Sequence, residues 1–519
     1  MKRTTLSLIA AATALAAVTG FAALTAPDGD AAAGAKAPTR LPVERSSLLC
    51  PAPSSSEVAE TVYTSYTPAG TTGSGAAQGA DGKAGADKAA DKAELLPSTV
   101  ALVATDPKKA ADAAKKPAPA KPTVTLTKTG TPVVASANGG AAPALVGSAT
   151  GTLAPGWTTQ QTTVVPAGGS RGLLGTACAA PDTDFWFPAA STAKTRQDYV
   201  HLTNPDDTAA VADIELYGPG GKLKSQLTEG IAVPARSSVP VLLSTLTAEP
   251  PAADVTVHVT TRTGRVGAVV RVADDKIGSD WLPASADPTA TAVLPGIPAD
   301  ATGVRLVAYA PGEDDAELKI QFVGASGTIV PAAGESLTVK SGMTAALDLP
   351  NLTRGEAGAL LLTPADPKRA TPVVAALRLV RGAAGKQETA FVQATGPLAA
   401  RGTAADNRAA GSTLLLTAPG ETAQVKVTAS AGSGGGATVS KTVTVKGRTT
   451  MSFVPPVPSG LKGSYALTIE PVSGGPVHAA RMLALPKDGI PMFTVQTIAD
   501  DRGTVEVPAA RQDLTVLDD

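Results

Sequence analysis

The 519-residue chain carries 44 Lys and Arg against 45 Asp and Glu, a net charge of −1, so it has no field with which to draw in nucleic acid or an anionic membrane surface. Hydrophobic residues make up 43% of it but aromatics only 3%, with 52 Gly and 43 Pro, so its cores must be built from small and β-branched side chains between frequent turns. The length excludes a single core and predicts several domains of about 100 to 150 residues each.

Lys2 and Arg3, followed by apolar or small residues from Leu6 to Ala26, read as an export signal. The apolar run is also long enough, at roughly twenty residues, to cross a bilayer as a helix. Pro27 directly follows Ala26, and the small-residue run Ala31 to Ala33 lies beyond Asp28 and Asp30. Residues 1–36 are therefore left open between a cleaved signal and an uncleaved membrane anchor. Both put the bulk of the chain outside the cell, and the anchor helix is its only expected membrane contact. Residues 37–67 read as a strand segment containing Cys50. Residues 68–122 are low-complexity, with "GADKAADK" and "KKPAPAKP", and hold too few large apolar groups to offset the entropy of ordering; they read as a disordered insert. Cys50 and Cys178, the two cysteines of an exported chain, pair naturally as one disulfide.

From Val124 onward, strand follows strand. "ADIELY" and "ELKIQF" alternate with period two, which buries one face and wets the other. Three stretches then repeat at a spacing of about a hundred residues, the signature of tandem domains. "YVHLTNPDD", "GVRLVAYAPG" and "STLLLTAPG" open the copies; "GRVGAVVRV", "TPVVAALRLV" and "GPVHAARML" close them. Pro205, Pro311 and Pro419 end the opening strands, where a residue without a backbone donor closes a ladder. Arg271, Arg378 and Arg481 recur in the closing strands, on a face expected to be solvated or to carry a shared inter-domain ion pair. The expected fold is all-β: three tandem antiparallel sandwiches, immunoglobulin-like in architecture, at 123–288, 289–398 and 399–500, with a tail at 501–519, arranged as a rod.

Apparent catalytic motifs fail on context. Gly168 to Gly172 spells G-x-S-x-G around Ser170, but no helix follows, and His201, His258 and His478 stand in no catalytic pattern. Ser191 to Lys194 spells S-x-x-K; its companion boxes at Ser136 to Asn138 and Lys128 to Gly130 come in the wrong order. Asp182 with Asp184, or Asp206 with Asp207, supplies too few oxygens for a hard cation. Neither catalytic residue, metal nor cofactor is expected. The large aromatics gather around the first copy, at Trp157, Phe185, Trp186 and Trp281. They build its core, or they expose a ring as a binding surface for a sugar or a protein.

The segment "LAPGWTTQQTTVVPAGGSRGLLGTACAAPDTDFWFPAAS", with "RQDYVHLTNPDDTAAVADIELYGPGG" after it, resembles an uncharacterised family of actinobacterial exported proteins, the domain-of-unknown-function family 5719. The resemblance implies export and a cell-envelope setting, and brings no activity, cofactor or site residue. The expected function is a non-catalytic structural or interaction protein of the envelope, contacting envelope protein or cell-wall glycan. A carbohydrate-binding protein using the tryptophans is the first alternative, and a cell-wall hydrolase the second.

Overall fold

The computed structural model describes residues 39–507 apart from 71–90, 102–120, 228 and 333. The expected leader at 1–36, most of the low-complexity stretch and the end of the tail lie outside the described residues. No described helix is long and apolar enough to cross a membrane. The chain divides into two compact units. One comprises its ends, where Thr39–Pro42 pairs with Thr504–Val507 in a two-stranded sheet. The other, residues 42–504, is all-β and is described below.

The alternating segments form the strands expected of them. Ala210–Gly218 buries every second residue, so Ala212, Ile214 and Leu216 face inward while Asp213 and Glu215 are half-exposed. In the first copy, Asp184–Ala190, Val255–Thr263 and Ala210–Gly218 lie side by side in one sheet. Ser237–Leu242, Arg196–Thr203, Gly267–Asp274 and Gly278–Leu282 form the other. Counted in chain order, the sheets run 1-5-3 and 4-2-6-7. Between them lies a core of Val200, Val239, Val241, Val255, Val257, Val259 and Val270. Each fully buried Val contributes roughly 1.5 kcal/mol or more, which lets a chain poor in aromatics hold its sheets together. The second copy, 292–393, and the third, 402–498, repeat the same strand order around their own clusters.

A further sandwich of that strand order precedes the three copies. Arg45–Cys50, Leu145–Thr150 and Lys92–Pro97 make its 1-5-3 sheet, extended by Val124–Leu126. Val133–Asn138, Glu60–Tyr66, Thr158–Val165 and Gly172–Ala177 make its 4-2-6-7 sheet. The boundaries expected from the sequence shift accordingly. Residues 123–288 hold the end of this N-terminal sandwich and the whole first copy, and Lys92–Pro97, expected in a disordered insert, is its third strand. Ala93 and Leu95 are buried there among Leu48, Tyr63, Leu126 and Leu145, enough apolar contact to order a strand flanked by low-complexity sequence.

The seventh strands of the four sandwiches, Gly172–Ala177, Gly278–Leu282, Glu388–Gln393 and Phe493–Ile498, meet around one axis. Each packs against the seventh strands of two neighbours, and the last packs against the first, so residues 42–504 form a closed ring where a rod was expected. Every sandwich thereby covers the outer face of the next. Trp281 and Val269 of the first copy pack with Ala59, Val165 and Leu174 of the N-terminal sandwich. Trp186 of the first copy packs with Tyr309 and Val374 of the second. Phe493 and Val495 of the third copy join the core of the second. Thr99–Val100 adds in parallel to Ser237–Leu242, tying the N-terminal sandwich to the first copy through backbone hydrogen bonds.

Candidate functional site

Two places in the ring concentrate chemistry, its axis and a cleft beside it. On the axis, Asp280 shares with Leu282 the core-facing side of Gly278–Leu282, the last strand of its sheet, and its carboxyl reaches across the ring to neighbouring sandwiches. Its Oδ1 accepts the N–H of Gly175 at 2.9 Å and that of Trp281 at 2.8 Å, while Thr494 Oγ1 donates to its Oδ2 at 3.0 Å. Gly175 and Thr494 belong to the N-terminal sandwich and the third copy, so one carboxyl group joins three sandwiches. A Cβ on Gly175 would stand 2.5 Å from Thr494 Cγ2, so the close approach needs glycine. Burial holds Asp280 well above the usual carboxylate range. Glu388 of the second copy reaches Arg171 of the N-terminal sandwich, Nη1 to Oε2 2.7 Å, and its side chain is fully buried. Burial pushes its pKa up to about 8, although the Arg171 guanidinium pulls the other way.

The cleft lies between the N-terminal sandwich and the first copy and has a volume of about 200 Å³. Leu49, Cys178, Phe185, His201, Thr203 and Val269 are among the residues that line it. Cys178 is disulfide-bonded to Cys50, which joins the first strand of the N-terminal sandwich to the residue just after its seventh, across 128 residues of sequence. His201 sits between Val200 and Leu202, both core residues, so its ring turns to the outer face of the sheet. That face is covered, and His201 is 4% exposed. Its ring lies edge-on to Trp281, 5.4 Å between centroids, and neither nitrogen has a hydrogen-bond partner among the described residues. Burial, then the charge of Arg271, lowers its pKa to about 3. The imidazole is therefore neutral at any physiological pH.

The aromatics singled out in the sequence do not form one surface. Trp157 is buried in the core of the N-terminal sandwich beside Cys178 and donates to Ser65 Oγ at 2.8 Å. Trp281 is sealed at the junction just described, and Phe185 packs in the first-copy core, stacked on Phe187. Trp186 has its faces taken by His258, 3.6 Å away, and by Tyr309, 5.4 Å away. None of them offers an open ring face to a sugar, which corrects the binding surface expected there. Trp157 and Phe185 fill the cores of their own sandwiches, and for Trp281 and Trp186 the physical reason is the ring closure, which buries outer faces that an isolated sandwich would expose.

The remaining candidates are structural. Ser170 lies in the turn before Gly172–Ala177, half-exposed. Ser191 is buried, donating to the Ala252 carbonyl at 3.0 Å and accepting the Ala193 N–H. Asp184 bonds His258, Asp206 takes both arms of Arg265, and Asp207 pairs with Arg236. No metal-holding cluster of His, Cys, Asp or Glu occurs among the described residues. Arg481 is fully buried and donates to Gln496 at 2.5 Å, and Arg271 lies over the Tyr199 ring at 5.3 Å, so these two do not form a solvated face. An ion pair that does cross between copies runs from Arg305 to Asp254 at 2.7 Å. Sequence reasoning missed Asp280, Glu388 and His201. For His201 the available signal was a polar residue at an outward position of an otherwise apolar strand; for Asp280 and Glu388 it was a carboxylate on the face that Leu282, and Ala390 and Val392, turn to the core.

Residues 133–456 match the model of a family of unknown function, DUF5719. No curated protein and no solved structure matches the chain. The match runs from the fourth strand of the N-terminal sandwich to just beyond the fourth strand of the third copy. It takes in well over half of the sequence, and the chain belongs to the family of unknown function DUF5719.

Proposed function

We propose that the chain is an exported, non-catalytic scaffold of the cell envelope that contacts envelope protein or cell-wall glycan through the outer edges of its ring. The observation that carries this reading is the Cys50–Cys178 disulfide, a bond that persists in non-reducing compartments and is rare in the cytosol. The apolar amino-terminal run of the sequence supports export in the same sense. A structural role is supported by where the buried ionisable groups are spent. Asp280, Glu388 and Arg171 bind sandwich to sandwich rather than facing a substrate-sized space. The test is to express the full chain with its leader, label intact cells with a membrane-impermeant amine crosslinker, and assay thiol alkylation after denaturation. Labelling from outside, with both cysteines refractory to alkylation until reduced, is the expected result. Free thiols in an unlabelled cytosolic pool would overturn export. Release of soluble glycan fragments from purified envelope by the protein would overturn the non-catalytic part.

A further inference from the structure

We propose that the fourth strand of the N-terminal sandwich, Val133–Asn138, is a dimerisation edge that pairs antiparallel with the same strand of a second copy of this chain. Position in the ring comes first. The fourth strand of each copy meets the sandwich before it: Ser237–Leu242 receives Thr99–Val100, Thr344 Oγ1 donates to the Tyr217 carbonyl at 2.7 Å, and the Thr450 N–H donates to the Gly324 carbonyl at 2.9 Å. Val133–Asn138 holds the equivalent place in its own sheet. It pairs with Glu60–Tyr66 on one side, and no described strand pairs with the other.

The edge is also unguarded. Folded sheets blunt an open edge with charge, proline or a bulge, as the third copy does at Val439–Val445 with exposed Lys441. The run "VVASAN" has neither charge nor proline, and its register is unbroken. Val134 on this strand is 38% exposed, and Val58, beside the end of Glu60–Tyr66, is 55% exposed.

Self-complementarity decides the occupant. The Gly139 N–H donates to the Ala59 carbonyl at 2.9 Å. Ladder bonds fall on alternate residues of an antiparallel pair, so Ala137, Ala135 and Val133 bond to Glu60–Tyr66, while Val134, Ser136 and Asn138 turn their backbone N–H and C=O groups to the open side. About a two-fold axis at Ser136, Val134 of one copy opposes Asn138 of the other, Ser136 opposes itself, and about six backbone hydrogen bonds close. The strand ends match in charge. Glu60 stands opposite Asn138, and Glu57 Oε2 lies 3.5 Å from where a Gly139 Cβ would stand, whereas Lys128 lies in the turn that leads to Val133; all three are exposed. Antiparallel pairing sets the acidic end of each copy beside the basic end of the other.

The test is sedimentation velocity of the full chain over a range of concentrations, and its outcome is independent of where the chain resides. A six-residue edge buries less than a standard interface, so a dissociation constant on the order of 10–100 µM is expected. Ser136→Pro removes the central outward N–H and leaves the ladder to Glu60–Tyr66 in place; Val134→Glu puts a charge on an exposed position facing the acidic end of the other copy. Each is expected to weaken dimerisation about tenfold or more while unfolding stays cooperative. Glu57→Lys and Lys128→Glu are each expected to weaken it, and the two together to restore it. Should Ser136→Pro fail to fold, Val134→Glu carries the test. The proposal is overturned by a chain that stays monomeric up to about 1 mM, including one whose edge takes up a strand of another protein instead, or by a dimer that Val134→Glu leaves unchanged.

Discussion

The substitution Glu388→Gln should flatten the pH dependence of stability, and the size of the effect follows from the axis. The carboxyl ordinarily titrates at 4.5 and in the folded ring at about 8, a difference of about 3.5 units. At about 1.4 kcal/mol per unit this is roughly 5 kcal/mol, comparable with the whole net stability of many domains. The sign is set by which state holds the proton. Below pH 4.5 both states are protonated and the contribution is intact. As pH rises the unfolded chain releases the proton first, so stability falls by up to about 1.4 kcal/mol per pH unit until both states are ionised near pH 8. A glutamine side chain cannot titrate, and its amide oxygen can still accept from Arg171. The assay is chemical denaturation of both proteins at pH 5, 6, 7 and 8, read as the difference between them so that other groups cancel. Wild type is expected to lose several kcal/mol relative to the variant across that range. Parallel pH profiles, or a wild type that gains on the variant as pH rises, would refute the reasoning.

Three further outcomes are expected. Gly175→Ala should cost about 1–3 kcal/mol by overpacking against Thr494, and Thr494→Ala in the same chain should recover part of that loss, measured as a coupling energy in a double-mutant cycle. Cys178→Ser, or reduction of the native protein, should remove up to roughly 5 kcal/mol on a chain-entropy account, read from denaturation midpoints with and without reductant. Trp186→Ala should cost roughly 3–5 kcal/mol as a buried aromatic truncation. If that variant instead keeps full thermal stability, the junction between the first and second copies does not depend on the Trp186, His258 and Tyr309 stack.

The local pattern was legible where a strand has one wet face. Alternation along Ala210–Gly218 and the prolines after the opening strands led directly to sheets and turns, and the cysteine pair is the disulfide. The N-terminal sandwich was not legible, because its third strand, "KAELLP", is enclosed by Ala, Gly, Lys and Asp-rich sequence that dilutes its two buried positions. Thr158–Val165 misleads for a different reason. Its threonines and glutamines read as solvent-facing, yet Thr162 is buried because the third copy covers that face and Asp406 accepts its hydroxyl at 2.8 Å. The histidine His201 falls in the same class, whereas Arg481 is buried on the inward face of its own strand, on the side of Ala479 and opposite Leu414. Periodicity reports which residues leave a strand's own core, and only the packing of one sandwich on another reports whether they then meet water.

The seam where the ring closes joins the N-terminal sandwich to the third copy, the earliest and the latest of the four to be synthesised. Its contacts include the Thr162 to Asp406 hydrogen bond, a small patch of Tyr66, Ala405 and Ala466, and an apolar cluster in which Leu173 and Val164 meet Leu483 and Met492. The other junctions bury tryptophan, phenylalanine and valine. An unfinished chain must hold its first sandwich without its last neighbour for the time it takes to make several hundred more residues. Until then Leu173 and Val164 lack the third copy's Leu483 and Met492, so the half-built circle presents an apolar flank to stray chains, and its exposure to aggregation ends only when the seam closes.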